Sequence, residues 1–172
     1  MRDMYRKFKR CVRYDEPGHA HALTFSCRHG APLLENDEAK KALVDALNQA
    51  RRKLEFDLWA YVIMPEHAHV VLHPCKPLYS ISRILFAVKR PVSYRLGLAG
   101  RRGLDHFWEE GGGYDRNLRS LATIHKEINY LHNNPVRRGL CRRPQDWLYS
   151  SAAFWAGLTD VPLAMDRALP PQ

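Results

Sequence analysis

The sequence lacks two features that would point to a metal-thiolate, redox or membrane protein. Its four cysteines, Cys11, Cys27, Cys75 and Cys141, are far apart and none forms a C-x-x-C pair. This excludes the usual thiolate zinc site and the usual redox pair, and predicts free thiols. No apolar run approaches about 18 residues, the length of a membrane span, and no apolar segment of a secretion signal follows the basic N-terminus. We therefore expect a cytoplasmic protein with no membrane partner.

Acidic residues are also few: 18 Asp and Glu stand against 27 Lys and Arg, a formal charge of +9 at pH 7. The basic residues form clusters along the whole chain. An ordinary solvated surface is one interpretation, but so many clusters favour a polyanion, and nucleic acid is the obvious one. Binding should then weaken steeply with salt. The residues predicted to contact DNA are Arg6, Lys7, Lys9, Arg10, Arg13, Lys89, Arg90, Arg116, Lys126, Arg137 and Arg138.

The apolar pattern of the first half predicts one strand, one helix and one hairpin. Alternating apolar residues indicate a strand over 21–28, and apolar steps of three and four indicate a helix from residue 36 or 37 to about 53. Two runs rich in β-formers, 56–63 and 68–72, are separated by a short connection. They should form adjacent antiparallel strands.

The second half predicts two more helices. The first contains residues 81–88 and should kink or end at Pro91. A glycine-rich loop over 97–113 follows, with Phe107 and Trp108 as its anchor, then a short extended stretch near Tyr114. The last helix runs from about 118 to 133, where Pro135 terminates it. This order suits a single α+β domain with an antiparallel sheet and helices on one face.

The segment 67–73 contains three histidines at even spacing. Because side chains alternate along a strand, His67, His69 and His73 share one face, and residues two apart lie about 6.5–7 Å from each other. Two imidazoles at this spacing can converge on one divalent ion, although a third ligand must come from elsewhere. Ordinary polar residues on the wet face of a sheet are an equally good interpretation. His19 and His21 have the same spacing, so spacing cannot choose between the pairs.

The last predicted helix carries a tyrosine on its polar side. Ile124, Ile128 and Leu131 define the buried stripe, and Tyr130 lies about 200° from Ile128 around the helix. Asn134 follows four residues later, while Lys126 and Glu127 precede it by four and three. A tyrosine in this position is available for chemistry, although most such tyrosines are plain surface residues.

Two segments resemble the single-tyrosine HUH transposases, and specifically the REP-associated tyrosine transposases. Residues 64–72, MPEHAHVVL, resemble the family's H-hydrophobic-H motif, and residues 130–140, YLHNNPVRRGL, resemble its tyrosine motif. Shorter similarities extend the resemblance over roughly residues 14–152. The sequence departs from the family at Ala68, which is smaller than the usual middle residue, and in the inserted glycines 111–113.

The resemblance implies a ferredoxin-like α+β sandwich in which the histidine strand faces the helix that carries the nucleophile. It selects His67 and His69 as metal ligands over His19 and His21. It also implies Tyr130 as nucleophile, Asn134 as third ligand, and Mg²⁺ or Mn²⁺ as cofactor. We expect a basic arm over 1–13, the HUH transposase-like catalytic domain over 14–155 and a C-terminal tail over 156–172.

The expected activity is metal-dependent cleavage and transfer of single-stranded DNA at REP-type hairpins through a 5′-phosphotyrosine. The protein would be prokaryotic, nucleoid-associated when bound to DNA, and a monomer or a homodimer. Two alternatives remain open. One is a structured-nucleic-acid-binding protein on the same fold without activity. The other is a metal hydrolase in which His67, His69, His73 and a carboxylate such as Glu66 activate water.

Overall fold

The computed structural model describes residues 12–97, 106–111 and 113–166. The predicted DNA contacts Arg6, Lys7, Lys9 and Arg10 lie outside these ranges. The elements within them, in chain order, are β1 (Ala20–Ser26), α1 (Asp37–Leu54), β2 (Phe56–Ile63), β3 (His67–Pro74), α2 (Ile81–Leu96), β4 (Tyr114–Leu118), α3 (Leu121–His132), α4 (Asn134–Arg137) and α5 (Ala152–Trp155).

The four strands form one sheet in the order β2-β3-β1-β4, and every neighbouring pair is antiparallel. Helices α1 and α2 connect β1 to β2 and β3 to β4, which gives the predicted ferredoxin-like arrangement. Their apolar sides pack on one sheet face, where Leu43 and Leu47 of α1 and Ile84 of α2 join Phe25 and Val70 of the strands in one buried cluster.

The prediction that all helices lie on one face is wrong, because α3 packs on the opposite face. Ile124, Ile128 and Leu131 of α3 form a second buried cluster with Val62 and Val71 of the sheet. The cause is visible in β2, whose near-continuous apolar run requires burial on both sides. Side-chain alternation places His67 and His69 on this second face. The tyrosine helix and the histidine strand therefore face each other.

Several element bounds differ from those predicted. Helix α2 continues through Pro91 to Leu96, because Pro91 is exposed and Val92 beyond it remains buried in the core. Helix α3 starts only at Leu121, because Leu118 still belongs to β4, where it pairs with Ala20 of β1. Ser120 then caps the helix by accepting a hydrogen bond from the Thr123 amide. Instead of following the helix as a plain terminator, Pro135 lies in the first turn of α4.

The segment after α5 packs against the sheet. Leu163 and Met165 are buried in the cluster under α1 and α2. Asp166 exchanges hydrogen bonds with Leu58 of β2: the Asp166 amide donates to the Leu58 carbonyl, and the Leu58 amide donates to the Asp166 carboxylate. Thus 156–166, the described part of the predicted tail, lies along the domain. In the described ranges, no helix has the length and apolarity required to cross a membrane.

Candidate metal and nucleophile site

The imidazoles of His67 and His69 converge at the start of β3. Their Nε2 atoms lie 3.0 Å apart, and the rings are perpendicular with centroids 4.7 Å apart. Two ligand atoms about 2.1 Å from one ion and at right angles to each other are separated by about 3.0 Å. The pair therefore has the spacing of two neighbouring ligands of a six-coordinate divalent ion.

A carboxylate orients the first imidazole. The Nδ1–H of His67 donates to Oε1 of Glu66 (2.9 Å), and the same oxygen accepts from the Arg138 guanidinium. Burial alone would raise the pKa of Glu66, but Arg138 and His67 outweigh it, so this pKa is lowered. An ionised carboxylate only accepts hydrogen bonds, which fixes the His67 proton on Nδ1. The Nε2 of His67 consequently presents its lone pair to His69.

The second imidazole is held from β1. Nδ1 of His69 lies 2.7 Å from Oγ1 of Thr24, its direct partner across the β1–β3 ladder. Burial, with smaller contributions from His67 and Arg137, lowers the pKa of His69 to about 4. Burial also lowers the pKa of His67, although Glu66 opposes the shift. Both imidazoles are neutral near pH 7, the form that binds a metal.

Tyr130 lies over this pair from α3. Its ring centroid is 6.4 Å from that of His69, in an edge-to-face arrangement, and 49% of its surface is exposed. The guanidinium carbon of Arg137 lies 4.1 Å from the ring centroid, and the same side chain donates to the Tyr130 carbonyl (3.1 Å). Arg137 therefore packs against the Tyr130 ring and hydrogen-bonds to the backbone of the same residue, while about half of the Tyr130 surface remains exposed.

Asn134 stands one turn after Tyr130, where the helix breaks between α3 and α4. Its amide nitrogen makes a long hydrogen bond (3.5 Å) to the Tyr130 carbonyl, which leaves Oδ1 as a remaining acceptor. The described residues contain no cluster of three His, Cys, Asp or Glu side chains able to hold a metal.

Of the other predicted DNA contacts, Arg90 is exposed on α2, and the remaining four divide into two groups. Arg116 and Lys126 lie on the α3 side of the sheet, where Arg116 pairs with Glu127 (3.7 Å) and Lys126 is exposed. Arg13 and Lys89 are largely buried on the other side: Arg13 lies 3.7 Å from the Asp115 carboxylate, and Lys89 packs over the Trp108 ring. Burial lowers the pKa of Lys89.

The competing histidines have other structural partners. His21 is fully buried and hydrogen-bonds to Asp115 and to the Tyr79 hydroxyl, both at 2.8 Å, on the α2 side of the sheet. His19 pairs with Asn117. His73 stacks on Trp59 with ring centroids 5.1 Å apart. It is four residues from His69, about 13 Å along the strand. None of the three takes part in the His67 and His69 cluster.

Sequence reasoning missed Thr24 and the role of Gly113. Thr24 is found only once the β1–β3 register is known, because nothing in the local sequence pairs it with His69. Gly113 has a positive φ of 74°, and a Cβ there would lie 2.0 Å from the Thr24 carbonyl oxygen. An inserted glycine, noted as a departure from the family, is therefore what lets the chain approach β1 beside the site. Phe107 and Trp108 are buried, as the predicted anchor requires.

Comparison with known proteins supports this architecture. No family profile matches the chain. It is 24% identical over 106 residues to the REP-associated tyrosine transposase of Escherichia coli strain K12, a match that covers 62% of this chain and 60% of that protein. It is also similar to a solved structure of a REP-associated tyrosine transposase bound to a REP hairpin, with a TM-score of 0.72, 22% identity, and coverage of 92% and 93% of the two chains. The chain has the α+β fold of this transposase.

Proposed function

We propose that this protein is a metal-dependent endonuclease and strand transferase that cuts single-stranded DNA at REP-like hairpins with Tyr130 as nucleophile. The observation that carries the proposal is the convergence of the His67 and His69 Nε2 atoms, 3.0 Å apart, under the half-exposed ring of Tyr130. The tyrosine of α3 and the histidine pair of β3 lie on the same face of the sheet. Both belong to the segments that resemble the motifs of the REP-associated tyrosine transposases.

The residues present fit a Mg²⁺ or Mn²⁺ ion. Two neutral imidazoles supply two ligands, and Glu66 and Thr24 hold their outward nitrogens. Asn134 would supply the third ligand through Oδ1. When bound, the metal polarises the scissile phosphate and offsets the negative charge that develops on it.

Tyr130 would attack the phosphorus, and a 5′-phosphotyrosine would form as the 3′-hydroxyl leaves. A phenol is a poor nucleophile at pH 7, so its developing charge needs a nearby cation. Arg137 is placed for this role, because its guanidinium lies over the tyrosine ring at 4.1 Å. Lys126, four residues before Tyr130 on α3, is a second cation on this side of the helix, but it has no hydrogen bond or ion pair with the described part of the site. The covalent bond keeps the energy of the phosphodiester, so the strand can be rejoined.

The water-activating hydrolase is a weaker alternative on this geometry. His73 stacks on Trp59 away from the other two histidines. Glu66 has a lowered pKa and is occupied by His67 and Arg138, whereas a general base works best with a pKa near the working pH. Neither residue is free to complete a three-ligand hydrolase site.

A cleavage assay tests the proposal. A labelled single-stranded oligonucleotide with a REP-like hairpin is incubated with and without Mn²⁺, using the wild type, Tyr130→Phe, and a double variant with His67→Ala and His69→Ala. We expect cleavage only by the wild type and only with metal, while all three proteins bind the hairpin. Cleavage by Tyr130→Phe at the wild-type rate would remove the nucleophile assignment. Tyr114→Phe serves as its matched control, because Tyr114 on β4 is exposed to a similar extent.

A further inference from the structure

The outward side of α2 carries a basic and aromatic stripe that the cleavage site does not use. Arg83, Phe86, Arg90 and Tyr94 lie within about 80° of one another around the helix, opposite its buried residues. Phe86 is 62% exposed and Tyr94 is 92% exposed. We call these four residues the α2 stripe.

The charge of the α2 stripe is uncompensated. Helix α2 contains no acidic residue, and its remaining exposed arginine, Arg95, is paired with Asp45. Over the described ranges, neither Arg83 nor Arg90 lies within ion-pair distance of a carboxylate. At its first turn the stripe borders a cavity of about 430 Å³ that Lys53 also lines; Lys76, in the same lining, is paired with Glu55 (2.6 Å). The surface is suited to a polyanion.

The aromatic residues narrow the choice of polyanion. Arg90 lies 5.6 Å from the Phe86 ring and between the two aromatics, and eight residues of helix separate Phe86 from Tyr94 by about 12 Å. Proteins that bind single-stranded nucleic acid combine exposed aromatic rings with arginines. The unpaired bases stack on the rings, and the arginines contact the phosphates. A duplex has no free base faces for such rings.

We propose that the α2 stripe is a second nucleic-acid site, which binds single-stranded DNA independently of the cleavage site. Helix α2 packs on one face of the sheet, and His67, His69 and Tyr130 lie on the other. A DNA strand bound at Tyr130 and a DNA strand bound to the α2 stripe would therefore lie on opposite sides of the sheet. The protein can hold an unpaired flank, or a second strand, away from the point of cleavage.

The test measures, by fluorescence anisotropy, how tightly the full-length protein binds a fluorescein-labelled oligothymidylate of 15 nucleotides. EDTA is present, so that no metal-dependent cleavage occurs. Replacing both aromatics, Phe86→Ala with Tyr94→Ala, should weaken binding at least tenfold. The conservative pair, Phe86→Tyr with Tyr94→Phe, should bind as the wild type does. The matched control replaces two exposed leucines elsewhere, Leu148 and Leu158, by alanine and should leave affinity within twofold.

The arginines provide an independent measurement. Arg83→Gln with Arg90→Gln should make the dependence of log affinity on log salt less steep by about 1.4, since each phosphate contact of a single strand contributes about 0.7. Affinity of the alanine pair within twofold of the wild type would overturn the proposal. So would sedimentation showing that the wild type self-associates and the alanine pair does not, which would make the stripe an interface between copies.

Discussion

The glutamate that holds His67 gives a sharp test of the metal site. Glu66→Gln removes the charge that receives the His67 Nδ1–H, while a glutamine oxygen of similar reach remains. Removing such a partner of a metal-binding imidazole lowers metal affinity by about 10–100-fold. Because glutamine keeps an acceptor, we expect the lower end, a Mn²⁺ dissociation constant raised about tenfold, or about 1.4 kcal/mol.

The chain offers a matched control in Glu127. Both glutamates have side chains 20% exposed and both pair with an arginine, but Glu127 faces Arg116 rather than a histidine. Titration calorimetry with Mn²⁺ in the absence of DNA should show weaker binding for Glu66→Gln and unchanged binding for Glu127→Gln. Equal effects of the two substitutions, or no effect of Glu66→Gln, would show that Glu66 does not support a metal-binding imidazole.

Three further predictions concern other parts of the domain. Arg137→Gln should slow cleavage about tenfold without changing Mn²⁺ affinity, because the cation over the phenol ring is lost; Arg142→Gln is the control, and a rate equal to wild type would contradict the role. Gly113→Ala should reduce the free energy of unfolding by about 2–4 kcal/mol in chemical denaturation, against about 1 kcal/mol for Gly139→Ala, whose Cβ would meet nothing within 4 Å. Burial lowers the pKa of His132 to about 4 from 6.5. The unfolded chain therefore binds more protons between these values, and His132 by itself should lower the free energy of unfolding by about 3 kcal/mol as the pH drops from 6.5 to 4, with His69 adding a similar contribution. His132→Gln should make this slope less steep, and an unchanged slope would count against it.

Local periodicity predicted how the main side chains of the candidate site are oriented, but not which histidine pair belongs to it. Strand alternation predicts that His67 and His69 share a face, and helical spacing keeps Tyr130 off the buried stripe of α3. Both predictions concern residues two to four positions apart, for which backbone geometry alone decides the face on which each side chain lies. The choice between His67 and His21, in contrast, came from family resemblance.

What could not be predicted depends on contacts between distant segments. The β1–β3 register places Thr24 opposite His69, and a register has no local sequence signal. Arg137 was predicted as a DNA contact from its charge, but its place over Tyr130 follows from the turn between α3 and α4. The position of α3 on the second sheet face was predicted wrongly, although the two-sided apolar run of β2 indicates that both faces of the sheet are covered.

The most direct measurement of the central proposal is the identity of the residue that becomes joined to DNA. Wild-type protein is incubated with Mn²⁺ and a hairpin-bearing single strand, denatured, digested with protease, and the DNA-linked peptide is sequenced by mass spectrometry. We expect a denaturation-resistant adduct carried by Tyr130. Cleaved DNA with no adduct, or an adduct on another residue, would contradict it.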